Sequence, residues 1–148
     1  EIRAQGVAAG TGEPFFDSIE STAAHLIFSI PGVKGIEFGA GFAAARSRGS
    51  HNNDLIADRH GTTATNNDGG INGGLANGNE IVLRVGFKPA PSIAQPQETF
   101  DFTAGHPTLL VIPGRHDVCI ALRGAVAAEA ALAIALADLV LRAGNAAV

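Results

Sequence analysis

The chain contains no methionine, tryptophan or tyrosine, and it has a single cysteine, Cys119. One thiol makes no internal disulfide, so nothing in the sequence indicates an oxidising compartment. Because Cys119 stands in an apolar run, residues 118–122, we expect it to be a buried small hydrophobic side chain. Position 1 is Glu rather than Met, and we therefore expect the chain to be processed, cut or part of a longer one.

Charge is also scarce, since 16% of the residues are charged and the net charge is −4 at pH 7. A negative balance argues against a nucleic-acid partner, because phosphate backbones require a basic face. No basic start followed by an apolar stretch marks a signal peptide. The longest apolar-rich segment, residues 125–141, is interrupted by Glu129 and Asp138, which makes it a poor membrane span. We expect a cytoplasmic protein without a membrane or nucleic-acid partner.

The apolar content, 46% of 148 residues, is enough to build one core. No tandem repeat or linker is visible, so residues 1–148 are interpreted as a single unit.

Hydrophobic periodicity predicts an α+β mixture. A helix is predicted over residues 15–29, ended by Pro31, and an alanine-rich helix over residues 122–142, ended by Gly144. The remaining predictions are strands over residues 1–7, 33–38, 80–88, 99–102 and 109–112, and a helical turn or two over 42–48.

Residues 49–79 are rich in Gly, Asn, Asp and Thr and are predicted to be irregular. A long irregular stretch inside a compact domain usually carries function. Taken alone, its glycines favour an ordinary surface loop, because Gly and Asn commonly mark turns.

Other polar residues also have ordinary explanations when taken singly. Lys88 would be a solvated residue at a strand end, and Arg115 and Asp117 a surface ion pair of little energetic value. No metal site is expected, because the spacing of the candidate histidines matches no compact metal motif. Those histidines are His51, His60, His106 and His116.

Four segments in one order change this interpretation. Residues 29–42 read SIPGVKGIEFGAGF, residues 65–78 read TNNDGGINGGLANG, residues 87–93 read FKPAPSI and residues 114–119 read GRHDVC. Together they resemble the chorismate synthase family, and the likeness spans nearly the whole chain. The matching residues belong to the C-terminal half of that family's chain.

The resemblance implies a β-α-β sandwich, of which this chain is the C-terminal portion, and a homotetramer. It also implies a lyase that uses reduced FMN. The substrate would be 5-enolpyruvylshikimate 3-phosphate, and an anti 1,4-elimination of phosphate would give chorismate in the shikimate pathway.

The family's site residues transfer to this chain position by position. The FMN contacts implied by the resemblance are Pro31, Gly32, Gly73, Lys88, Pro89, Ala90, Pro91, Ser92 and Arg115. Arg115 would also lie beside the anionic groups of the substrate, and Asp117 would help a flavin nitrogen accept the substrate proton. Close backbone approach to a flavin is expected at Gly69-Gly70 and Gly73-Gly74, which lack a Cβ.

Some features depart from the family pattern. Val118 replaces a proline, and Pro31-Gly32 replaces Asn-Ala or Pro-Ala. The family's two catalytic histidines lie in the N-terminal half, so we expect no turnover from these 148 residues alone, and His106 receives no role. The alternatives are a half-length flavin- or anion-binding module without catalysis, or an assembly partner for a separate N-terminal half.

Overall fold

A computed structural model describes residues 1–115 and 117–145, Asn145 by its backbone alone. His116, one of the four histidines discounted as metal ligands, and residues 146–148 lie outside the described residues. The strands are β1 (Ile2–Ala4), β2 (Val33–Phe38), β3 (Ile71–Asn72), β4 (Leu75–Ala76), β5 (Ile81–Phe87), β6 (Gln97–Asp101) and β7 (His106–Leu110). The helices are α1 (Ile19–Phe28), α2 (Gly49–Asn52) and α3 (Ala121–Asn145), with a 3₁₀ helix at Gly41–Arg46.

Strand β5 is the centre of a three-stranded antiparallel sheet, ordered β1-β5-β2. Ile81 and Leu83 are fully buried and alternate with half-buried Val82 and Arg84, as a strand with one face on the core requires. The prediction of a strand over 33–38 is confirmed, and the strand predicted over 80–88 is one residue shorter at each end. The two strands predicted after it form the hairpin β6–β7.

Helix α1 begins four residues later than predicted because Ser18 caps it. The Ser18 side chain accepts a hydrogen bond from the Ser21 amide at 3.1 Å, which satisfies a donor of the first turn. Phe15 and Phe16 therefore lie in the preceding turn and are more than four-fifths exposed. The helix ends at Phe28, ahead of Pro31.

Helix α3 runs past its predicted end. It continues through Gly144 to Asn145, so the prediction that Gly144 stops it is wrong. A glycine within a helix costs only about 1 kcal/mol relative to alanine, which a long helix tolerates.

The core lies between the sheet and a layer formed by α1 and α3. Small residues, Ala23 on α1 and Ala131 and Ala135 on α3, are buried together and allow the two helices to approach closely. Ile27, Val33, Leu83 and Leu132 complete this cluster. A second cluster joins Ile19, Ile71, Ala76, Ile81 and Leu139, and thereby ties the hairpin β3–β4 to the same core.

The outer side of α3 carries exposed apolar side chains, namely Leu122, Val126, Ile134, Val140 and Leu141. By length and composition alone, Ala121–Gly144 is long and apolar enough to cross a membrane, so the expectation of a poor span fails on those criteria. One such helix is weak evidence, because core helices of soluble proteins pass the same test, and the inner stripe of α3 is buried in the core.

Cys119 is exposed, so the expectation of a buried thiol is wrong. The apolar run around it forms no strand and instead leads into α3. Val118 is 98% exposed and Leu122 is 81% exposed, so both ends of the run face outward rather than into the core.

Within the irregular stretch, residues 49–79, the carboxylate of Asp54 holds residues 65–68 in place by hydrogen bonds. Asp54 accepts hydrogen bonds from the Asn67 amide at 2.7 Å, the Asp68 amide at 2.9 Å and the Thr65 hydroxyl at 2.7 Å. Partial desolvation raises the pKa of Asp54, but the hydrogen bonds outweigh it and hold the pKa below its ordinary value.

Gly69 and Gly70 lie where the chain packs so closely against itself that a side chain would collide with backbone atoms. A Cβ on Gly69 would collide with the Gly39 amide nitrogen, and a Cβ on Gly70 would lie 2.5 Å from the Glu80 carbonyl oxygen. A Cβ on Gly74 would lie 2.7 Å from the Cβ of Ser18. The fold itself therefore requires glycine at these three positions, and their approach to a flavin stays a prediction.

We predict that Gly69→Ala destabilises the protein by several kcal/mol more than Gly61→Ala. Both glycines have positive φ, +67° and +83°, so both variants carry the roughly 1–2 kcal/mol cost of the left-handed region. The Cβ at Gly61 meets nothing within 4 Å among the described residues, whereas that at Gly69 meets backbone. Denaturant unfolding measures the difference, and equal losses for the two variants would contradict the account.

We predict that Asp54→Asn lowers the free energy of unfolding by roughly 1–3 kcal/mol at pH 7, because one amide donor loses its acceptor. The folded pKa lies below the ordinary value of 3.8, so the ionised carboxylate stabilises the protein above that pH. The stabilisation is lost as the pH falls through the folded pKa. Unfolding titrations from pH 7 to pH 3 should show the wild type approaching the variant; a gap independent of pH would refute this.

Candidate active site

The end of strand β5 holds the first two predicted site segments together. Val33 pairs with Phe87, and beyond that pair the Lys88 amide donates a hydrogen bond to the Gly32 carbonyl oxygen at 2.8 Å. The turn containing Pro31 and Gly32 therefore lies beside the start of the 88–92 segment.

The start of helix α3 packs onto this junction. The Ile120 carbonyl accepts the first helical hydrogen bonds, from the Gly124 amide at 2.9 Å and the Arg123 amide at 3.2 Å. A Cβ on Gly32 would lie 2.7 Å from Ile120 Cδ1, and one on Gly124 would collide with the Phe87 ring. These two glycines let the helix start, the turn and the strand end converge.

Two adjoining cavities open at this point. The polar cavity, about 550 Å³, is lined by Ala90, Pro91, Ser92, Arg115, Asp117, Ile120 and Arg123. The apolar cavity, about 460 Å³, is lined by Ile30, Pro31, Gly32, Phe87, Lys88, Gly124 and Ala127, and by the same Asp117, Ile120 and Arg123. The three shared residues form the boundary between the cavities.

Most of the predicted site residues thus lie together. Pro31, Gly32, Lys88, Ala90, Pro91, Ser92, Arg115 and Asp117 line one or both cavities. Pro89 lies between two lining residues without lining either cavity itself.

Gly73 is the exception, because it lies in the exposed turn between β3 and β4. That turn adjoins the start of α1, since the Ile19 amide donates to the Gly74 carbonyl at 3.1 Å. Neither cavity includes Gly73 in its lining.

Arg123 is a site residue that sequence reasoning missed. Its Nη1 lies 3.1 Å from Asp117 Oδ2, so the ion pair shown for Asp117 is with Arg123, whereas the ordinary explanation considered for the sequence paired Asp117 with Arg115. One feature of the sequence could have indicated its role. Arg123 stands near the predicted start of a helix, where the helix dipole disfavours a cation unless an anion lies close to it.

A further cavity, about 260 Å³, lies between β2 and β5 and includes Glu37, Phe42 and Arg84 in its lining. Arg84 donates to Glu37 Oε1 and to the Gly39 carbonyl oxygen, each at 2.7 Å. The Arg84 hydrogen bond also lowers the pKa of Glu37, and the Phe42 amide adds to the effect. Glu37 and Arg84 are hydrogen-bonded to each other and to the backbone, which indicates a structural role.

Within residues 1–115 and 117–145, no three His, Cys, Asp or Glu side chains cluster as a metal site requires. His106 is exposed on β7 and lies outside the lining of both site cavities.

Comparison with known proteins shows the family to which the chain is similar. The family model for chorismate synthase matches residues 1–141. A chorismate synthase of Chitinophaga pinensis is 54% identical over 141 residues, which cover 95% of this chain and 42% of the relative. One of Archaeoglobus fulgidus is 47% identical over 146 residues, covering 97% and 41%.

The fold also matches a solved structure, a crystal structure of chorismate synthase, with a TM-score of 0.73 and 32% sequence identity. The match covers 95% of this chain and 36% of that chain, so the α+β arrangement is part of that larger fold. The present chain spans about two fifths of the length of these curated relatives. On the family model and these relatives together, the chain belongs to the chorismate synthase family.

Proposed function

We propose that this chain forms the flavin-binding portion of a chorismate synthase, a lyase of aromatic amino acid biosynthesis. The whole enzyme would eliminate phosphate from 5-enolpyruvylshikimate 3-phosphate in the anti 1,4 sense and release chorismate. The observation that carries the proposal is the convergence of Gly32, Lys88, Ser92, Arg115 and Asp117 on two adjoining cavities.

The chemistry of the cavities fits FMN. An isoalloxazine ring is flat and largely apolar, and the apolar cavity offers Ile30, Phe87 and Ile120. A phosphate group needs cations and hydrogen-bond donors, which Lys88, Arg115 and the Ser92 hydroxyl supply at the cavity walls.

Reduced FMN, when bound, would supply the electronic chemistry of an elimination that has no net redox change. The chain's own residues would bind and orient it. Pro31 and Gly32 on one side and residues 88–92 on the other would border the flavin, while Arg115 would pair with an anionic group by its planar fork.

Asp117 is the proposed proton-handling group. Its carboxylate lies at the boundary of the two cavities, where it contacts both the polar and the apolar compartments. A carboxylate in that position tunes the basicity of a neighbouring acceptor of the substrate proton. Gly73 stays a proposed flavin contact on the resemblance alone.

Assembly and location are also proposals. The exposed apolar side of α3 supports burial against further chain or further copies, in keeping with a β-α-β sandwich and a homotetramer. We propose a cytoplasmic enzyme with a small-molecule substrate and no nucleic-acid or membrane partner.

We predict that Lys88→Ala and Arg115→Ala each weaken FMN binding roughly ten- to a hundredfold, the loss expected for one charge-assisted hydrogen bond. Lys34→Ala is the matched control, because Lys34 is an exposed lysine on β2 that lines neither cavity. Flavin fluorescence titration gives the dissociation constants.

Unchanged affinity in both variants, or an equal loss in the control, would remove these cavities as the flavin site. Failure of the wild-type protein to bind FMN at all would exclude the proposal that this chain by itself forms the flavin-binding portion. It would also exclude the alternative flavin-binding module, and it would favour the assembly role.

We further predict that the 148-residue chain alone produces no chorismate from 5-enolpyruvylshikimate 3-phosphate and reduced FMN. In the family the catalytic histidines belong to the N-terminal half. Chromatographic detection of chorismate is the assay, with a full-length member of the family as the positive control. Turnover above the uncatalysed background would contradict the prediction.

A further inference from the structure

The ion pair between Arg123 and Asp117 has no evident role in stability. The Arg123 side chain is 81% exposed and the Asp117 side chain 46% exposed. A pair so open to water contributes little to folding, because solvent screens it and two side chains must be ordered to make it.

The position of Arg123 is electrostatically unfavourable for the helix. It is the third residue of α3, whose first turn contains no acidic residue. The N-terminal end of a helix carries partial positive charge and repels a cation. Asp117, four residues ahead of the helix, supplies the compensating charge through its 3.1 Å contact with Arg123.

Two other cationic residues line the cavities that Asp117 borders. Lys88 lines the apolar cavity with Asp117, and Arg115 lines the polar cavity with it. Either cation would attract the carboxylate once its present partner is gone. A cation engaged in that way is less able to bind the anionic group of a ligand.

We propose that Arg123 is a positioning residue, which holds the Asp117 carboxylate at the boundary between the cavities and thereby keeps Lys88 and Arg115 free for the ligand's anion. The inference rests on the proposed function, because the ligand that tests it is FMN.

The experiment is a double-mutant cycle on FMN affinity in the intact protein, measured by fluorescence titration. It compares the wild type with Arg123→Gln, Asp117→Asn and the double variant. We expect Arg123→Gln to weaken FMN binding roughly five- to tenfold in the wild-type background and to have no effect in the Asp117→Asn background. An arginine that contacted the phosphate directly, or acted only through its charge, would give the same loss in both backgrounds.

Two controls accompany the cycle. Riboflavin lacks the phosphate group, so its affinity should not change in Arg123→Gln. Arg142→Gln removes an exposed, ion-paired arginine from the other end of α3, where it contacts Asp138 and Asp17, and should leave FMN affinity unchanged.

The outcomes separate the two proposals. If the wild type does not bind FMN, the proposed function and this inference both fall. If the wild type binds and Arg123→Gln binds equally well, or loses the same factor in both backgrounds, the positioning role alone is overturned.

Discussion

The hydrogen bond from the Lys88 amide to the Gly32 carbonyl, 2.8 Å long, extends the β2–β5 ladder beyond its last paired residues. The candidate site depends on this extension. It places Lys88, which follows the end of β5, next to the Pro31-Gly32 turn. The start of α3, with Ile120, borders the same junction. Because Gly32 has no side chain, Ile120 can approach, and a larger residue in this backbone conformation would displace it.

The glycine-rich stretch packs against the sheet and lies outside the lining of both cavities. Gly69 packs against Gly39, and the Val82 amide donates to the Gly69 carbonyl at 3.1 Å, so the stretch is fastened to the centre of the sheet. Asp54 organises the turn before it. Close backbone approach at Gly69 and Gly70 is thus required by the fold itself, and neither residue lines either cavity.

Strong hydrophobic alternation predicted β5, and β2 was also predicted at its observed bounds. The residues that gather at the cavities were identified through the joint resemblance of several segments rather than through any single motif. Prediction from the sequence failed where a local interaction decides. Ser18 sets the start of α1, and Gly144 does not stop α3 because one glycine is tolerated in a long helix. Cys119 is exposed because its apolar run is a connection into α3. The Arg123–Asp117 pair was missed because it joins a loop to a helix turn through side-chain geometry.

Amide hydrogen exchange of the protein with and without FMN tests the proposed flavin site most directly. The junction of the β5 end with the α3 start should be protected by the ligand, in peptides covering residues 30–33, 87–92 and 117–124. The hairpin of β6 and β7, which lies outside both cavities, should exchange at the same rate in both states. Protection confined to the hairpin or to the turn at Gly73, with none at the junction, would contradict it.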